Sequence, residues 1–177
     1  MKQDRSGLGL RRRAILRGLV SRLGDVGKTK VQKLAYFLQE LRQVPLAYRF
    51  RMHHYGPFSE ELDTDLSVMK ALGYLDIKPD PDGYGYHVTA LGDADTEWRK
   101  ETDRYSGDIS RVIDEFGALD AASLELYATV HFVRSLLKAA PKREILDTVS
   151  ELKPKFSKEA IENAYDELGL LKDCGKG

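Results

Sequence analysis

The chain has 177 residues, enough for one good core or two small ones packed together, and its 28 Lys and Arg balance 28 Asp and Glu. That balance argues against a nucleic-acid sponge or an acidic tail, and the single cysteine, Cys174, leaves no disulfide framework and no cysteine zinc site. No apolar run reaches the roughly 20 residues that cross a bilayer, and the first residues lack a signal-peptide core, so a soluble, cytoplasmic protein is expected.

Neutrality hides an asymmetry. Thirteen basic residues between Met1 and Arg51 face only Asp4, Asp25 and Glu40, a net of +10 that the rest of the chain must cancel. Such a split is either a face meeting its complement within the same molecule or a surface for an acidic partner, protein or nucleic acid.

In chain order, Ile15, Leu16, Leu19, Val20 and Leu23 recur on one stripe of a helix over 10–23, with Arg12, Arg13, Arg17 and Arg22 largely off it. Gly24 and Gly27 break that helix. Thr29 and Gln32 have capping-box spacing for a second helix, whose apolar face is Val31, Leu34, Ala35, Leu38 and Leu41. Pro45 ends it, and 46–52 alternates like a half-buried strand. After the Tyr55-Gly56-Pro57 turn, Ser59 caps a third helix with Glu60 and Glu61 in its first turn and Leu62, Leu66 and Met69 inward.

Strands are expected over 72–77 and 84–89, joined by the turn composition Lys78-Pro79-Asp80-Pro81-Asp82-Gly83, and Thr89 is read as the cap of a further helix. Helix, helix, helix, strand, turn, strand, helix is the order of a winged helix. Beyond residue 90 only helical spacing recurs: Ile109, Val112 and Phe116; Leu126, Val130 and Val133; Ile145 and Val149; Ile161, Ala164 and Leu168, with Ser157 as a cap. The fold class is mainly α (α+β). A flexible 1–9, a winged-helix-like 10–105, C-terminal helices over 106–172 packed on it and a tail over 173–177 make up the chain.

Gln32-Lys33-Leu34-Ala35-Tyr36-Phe37, followed by Tyr55-Gly56-Pro57-Phe58-Ser59, resembles the SocA-like (Panacea) antitoxin domain family. Leu124-Glu125-Leu126-Tyr127-Ala128-Thr129 and Lys153-Pro154-Lys155-Phe156-Ser157 look like its YwgA-like branch, so the resemblance runs from about Leu10 to Leu171. Better known SocA-like members show Leu-x-x-x-Thr-His in the later helix; here Val130 separates Thr129 from His131. The resemblance implies an antitoxin-like, toxin–antitoxin or phage-associated domain that acts by direct protein contact.

Chemistry-bearing motifs are few, and the reading is of a non-enzyme without cofactor or metal. His53 and His54 are adjacent, so in an extended segment they point opposite ways, and His87 lies on another strand without acidic or cysteine partners at ligand spacing. Gly27-Lys28-Thr29 echoes the end of a phosphate loop but follows a helix rather than a buried strand.

Charge is also the argument against a winged helix reading DNA. On the third helix Glu60, Glu61, Asp63 and Asp65 are read as facing outward against one Lys70, which repels phosphate. The alternative is a nucleic-acid-binding winged-helix regulator that uses the basic first helices, with weak, non-specific contact expected there. The preferred reading is a protein partner, a toxin being one candidate, met by Arg12, Arg13, Arg17, Lys33, Tyr36, Gln39, His54, Tyr55, Gly56, Pro57 and Phe58. A homodimer is compatible with the sequence. Reversing charge at Arg12 and Arg13 is expected to slow association without unfolding the protein.

Overall fold

The computed structural model describes residues 5–173, with side chains over 7–171. Residues 1–4 of the expected N-terminal segment and 174–177 of the expected tail, Cys174 included, lie outside that range. The protein is mainly helical, with 62% helix in eight helices among the described residues and small antiparallel sheets. It divides into two compact units. The first comprises the chain up to Phe50 and Ser59–Ala118; the second comprises Arg51–Phe58 and the chain from Leu119. The sequence reading put a boundary at 105/106, inside what is one unit.

In the first unit α1 spans Arg5–Leu23, so it starts five residues ahead of the expected 10 and takes up part of the expected flexible N-terminus. Ile15, Leu16, Leu19 and Val20 are fully buried, each contributing about 1.5–3 kcal/mol. A two-residue strand, β1 (Val26–Gly27), precedes α2 (Lys28–Glu40). The N-cap of α2 is Gly27 with no side-chain cap bond, which corrects the Thr29–Gln32 capping box. Gln32 is buried and pairs instead with the backbone of Ser59, donating to its carbonyl at 3.0 Å and accepting its N–H at 3.1 Å. Phe37 of α2 stacks on Phe116 at 4.1 Å.

Of the strand expected over 46–52 only Arg51 and Met52 join a ladder; ahead of them Val44, Leu46 and Tyr48 alternate inward without strand pairing. Side chains stand where a neighbouring strand would be. Gln39 accepts the Tyr48 N–H at 2.7 Å and donates to its carbonyl at 3.0 Å, while Arg12 donates to the carbonyls of Leu46 and Ala47. Ala47 takes φ 51°, a left-handed conformation uncommon outside glycine, between those two anchored residues.

Two short strands, β2 (Arg51–His53) and β3 (Gly56–Phe58), belong to the second unit and are described with it. In the first unit α3 (Glu60–Ala71) begins at Ser59, whose hydroxyl accepts the Leu62 N–H at 3.4 Å, and buries Leu62, Leu66 and Met69. Strands β4 (Leu75–Pro79) and β5 (Tyr86–Ala90) pair antiparallel, and β1 adds to β5 with Val26 opposite Val88 and Gly27 opposite His87, in the order β1-β5-β4. Thr89 lies in β5, so it caps no helix; α4 (Thr96–Arg104) starts after Asp95, and α5 (Ser106–Phe116) buries Ile109, Val112 and Phe116.

In the second unit β2 and β3 pair antiparallel and β3 packs on α6 (Ala121–Leu136), which is capped by Asp120. Helices α7 (Lys142–Leu152) and α8 (Lys158–Asp173) complete it, burying Ile145, Val149, Ile161, Ala164 and Leu168 against α6 and each other. The Ser157 hydroxyl accepts the Ala160 N–H at 3.1 Å at the start of α8.

Candidate functional site

In the second unit His54 and Tyr55 form the tip of the β2–β3 hairpin. The chain can turn there because Gly56 takes φ 84°, a conformation cheap only for glycine. Pro57 is buried opposite Met52, and Phe58 is half-buried with its ring 5.5 Å from that of His53. The His54 and Tyr55 rings meet edge to face at 4.8 Å, and Tyr55 is 56% exposed.

A buried charge holds this tip from behind. Lys153, at the C-cap of α7, donates to the His54 carbonyl, and its ammonium lies 2.7 Å from Glu125 Oε1 on α6. Lys155 reaches the other carboxylate oxygen at 2.8 Å. The side chains of Lys153 and Glu125 are only 6% and 4% exposed. Burial pushes the Glu125 carboxyl up, and the two ammonium groups more than reverse it, leaving it below its ordinary value. A cation at a helix C-terminus is further favoured by the backbone dipoles. Each charge in the cluster therefore has a partner, and one donor hydrogen of Lys153 is spent on fixing the turn.

The other predicted contact residues lie in the first unit, and most are committed there. Arg17 is buried and donates to the carbonyls of Leu91 at 2.9 Å and Gly92 at 2.5 Å, so it does not lie on an open basic face. Lys33 and Tyr36 are 1% and 2% exposed, which corrects their assignment as partner-facing; Tyr36 packs edge-on against Phe50 at 5.1 Å. Gln39 is half-buried and occupied with Tyr48. Arg12 covers the Tyr48 ring at 4.4 Å while holding the extended segment, and Arg13 pairs with Asp65 at 3.2 Å.

The same pattern extends to other described residues of the basic segment. Lys28 pairs with Asp63 at 2.6 Å, Arg49 with Glu61 at 2.6 Å, Arg11 with Glu101 at 3.2 Å and Arg42 with Glu115. Asp65 also accepts from the Tyr48 hydroxyl at 2.8 Å, and burial followed by that carboxylate drives the Tyr48 phenol far above its ordinary range. Three of the four carboxylates read as facing outward on α3 thus face basic residues of their own unit. The exposed face of α3 is Glu60, Thr64, Ser67, Val68, Ala71 and Leu72, with Lys70 donating to the Ile77 carbonyl. It is neither strongly acidic nor basic.

No family model matches the chain. Over 165 residues it is 27% identical to the uncharacterized protein YwgA of Bacillus subtilis (strain 168), a match covering 92% of this chain and 98% of that protein. Coverage that wide takes in residues of both units.

Glu125, Lys153 and Lys155 escaped the reading of single residues. Glu125 and Lys153 are 28 positions apart on different helices, and charged residues are rarely buried, so neither spacing nor composition marks them. Their one signal was that both stretches containing them resemble the YwgA-like branch.

Proposed function

We propose that this chain is a non-enzymatic, antitoxin-like domain of the SocA-like (Panacea) kind, in its YwgA-like branch, which neutralises or modulates a protein partner by direct contact at the His54-Tyr55 tip. The observation that carries the reading is an exposed aromatic side chain on a turn whose backbone is tied to a buried ion cluster. Rigid, solvent-facing tyrosines are favoured anchors in protein interfaces because they bring large area at small entropic cost. Phage or mobile-element association and a cytoplasmic setting go with that reading.

The first unit is read as winged-helix-like. Three helices followed by the β4–β5 hairpin support this, as does β1, between the first two helices, adding to β5 as a third strand. Nucleic-acid binding through the basic helices loses support, since Arg11, Arg12, Arg13, Arg17 and Lys28 already hold groups of their own unit. An unpaired phosphate-facing stripe is what such binding needs.

A photo-crosslinking amino acid at position 55, introduced in the native host, tests the proposal. Expected is one dominant protein adduct, lost when the crosslinker is moved to exposed Lys138 and competed by purified wild-type protein but not by Tyr55→Ala. Adducts equal at both positions, or nucleic acid as the captured species, would overturn it.

A further inference from the structure

His87 is the second residue of β5, the central strand of the β1-β5-β4 sheet, opposite Gly27 on one side and Lys78 on the other. Its ring meets a carboxylate at each nitrogen. Nδ1 lies 3.0 Å from Asp25 Oδ1, just ahead of β1, and Nε2 lies 3.0 Å from Asp80 Oδ2, in the β4–β5 turn. A neutral imidazole has one N–H and one lone pair, so it can donate to only one of these oxygens and repels the other. Both contacts together require the imidazolium.

The two carboxylates belong to different pieces of backbone, the approach to β1 and the β4–β5 turn, the latter also closed by the Gly83 N–H donating to the Asp80 carbonyl at 3.0 Å. β1 is two residues long. Asp80 organises the turn: its Oδ1 accepts the Asp82 N–H at 2.8 Å and its own N–H donates to the Gly85 carbonyl at 3.0 Å, while Tyr84 in the same turn is 89% exposed. We infer that His87 is a protonation-controlled clasp, which as imidazolium ties the start of β1 and the β4–β5 turn to the central strand and as neutral imidazole lets one of them go.

The charges around it agree. Hydrogen bonds to Asp25, then to Asp80, push the His87 ring above its ordinary 6.5, outweighing desolvation. Asp76, Lys78 and Asp82 line the same cavity of about 470 Å³. Lys78 holds Asp76 down and Asp76 holds Lys78 up, so that pair stays charged while His87 titrates. Because the folded value is raised, the clasp is fully present below 6.5 and is lost as pH rises through that higher value.

Nitrogen-detected NMR of the imidazole in wild type, Asp25→Asn and Asp80→Asn, from about pH 5 to about pH 9, reads the clasp directly. Amide-exchange protection factors of the β1–β5 ladder are followed in parallel. Asn at 80 keeps the oxygen that accepts the Asp82 N–H, so the turn survives the substitution. Expected are a wild-type midpoint above 6.5, a lower midpoint in each variant, and ladder protection that falls about two- to fivefold across the wild-type titration, the worth of exposed ion pairs. In His87→Gln the protection should not vary over this range. A wild-type midpoint at or below 6.5, a midpoint unmoved in both variants, or protection that stays flat while wild-type His87 titrates would each overturn the clasp.

Discussion

The two units handle charge in opposite ways. In the first, ion pairs spread over α1, α2 and α3 and their partners are part-exposed: Arg13–Asp65 at 29% and 11%, Lys28–Asp63 at 24% and 33%. In the second, exposed pairs such as Lys142 with Glu162 and Asp166 sit beside a different kind of cluster, one carboxylate and two lysines, with Glu125 and Lys153 almost fully buried. Pairs of the first kind contribute about 0.2–1 kcal/mol each, whereas removing one partner of the second kind costs about 3–5 kcal/mol. The many charges of the first unit are what the sequence advertises as a basic segment; the few of the second decide where an exposed turn is held. Number of charges and consequence of charges are different quantities.

The largest effect should follow Lys153→Met, which leaves Glu125 with only half-exposed Lys155 and strips the His54 carbonyl of its donor. Urea unfolding should show a loss of about 3–5 kcal/mol. Stability against pH sharpens the assignment. Because the folded Glu125 carboxyl is held below its ordinary value, its contribution is present above the unfolded pKa and disappears as pH falls through the folded one. Glu125→Gln should flatten that acid limb; a wild-type acid limb unchanged by it means the cluster is not what holds the unit.

Second in size is the double reversal Arg12→Glu with Arg13→Glu. From the sequence it is expected to leave the fold intact, since both arginines lie off the apolar stripe of α1. In the structure it removes the donors to the Leu46 and Ala47 carbonyls and sets a new carboxylate, from position 13, beside Asp65. A loss of about 2–4 kcal/mol is expected from thermal and urea unfolding, comparable to orphaning two or three polar groups. An unchanged melting temperature would return these residues to the status of a solvated surface.

What was legible and what was not divides along the same line. Local rules found Ser59 as a cap, Leu62, Leu66 and Met69 as one buried edge, and both strands flanking the 80–85 turn, because each depends on neighbours within a few positions. Long-range pairing went unread. Arg17, Lys33 and Gln32 are polar and so were placed outside or at a cap, yet tertiary partners or packing enclose them. The segment over 44–49 alternates as a strand does, but Gln39 and Arg12 side chains took the ladder's place. Of the candidate contact residues, Arg17, Lys33 and Tyr36 are buried, Arg12, Arg13 and Gln39 are half-buried and engaged within their own unit, and the tip at Tyr55 is exposed.

Gln32→Ala comes third. It leaves the N–H and carbonyl of fully buried Ser59 without their amide partner, 27 positions away in the chain. The Ser59 carbonyl still accepts the Asp63 N–H at 3.1 Å, so one buried donor is orphaned and a loss of about 1–3 kcal/mol is expected. Gln32→Glu separates the terms: it keeps the acceptor for the Ser59 N–H but turns the donor into a second acceptor against the Ser59 carbonyl. It should be the worse substitution at neutral pH. Equal stability of the two variants would mean that water has replaced the amide pair.

The smallest stability effect, and the sharpest functional one, belongs to Tyr55→Ala. The side chain is 56% exposed and meets the His54 ring at the same tip, so little packing goes with it. The melting curve should stay within about 0.5 kcal/mol of wild type. If Tyr55 is the anchor of a protein contact, truncation should weaken that contact by about 2 kcal/mol or more, roughly thirtyfold in Kd. Lys153→Met is the control that links the two units' lesson to function: it should weaken binding through a faster off-rate even where enough protein remains folded, because the tip loses the donor that fixes the His54 carbonyl. Binding measured for both variants at matched folded concentration decides the matter. If Tyr55→Ala binds as wild type does, the exposed tip is not the contact, however firmly the buried cluster holds it.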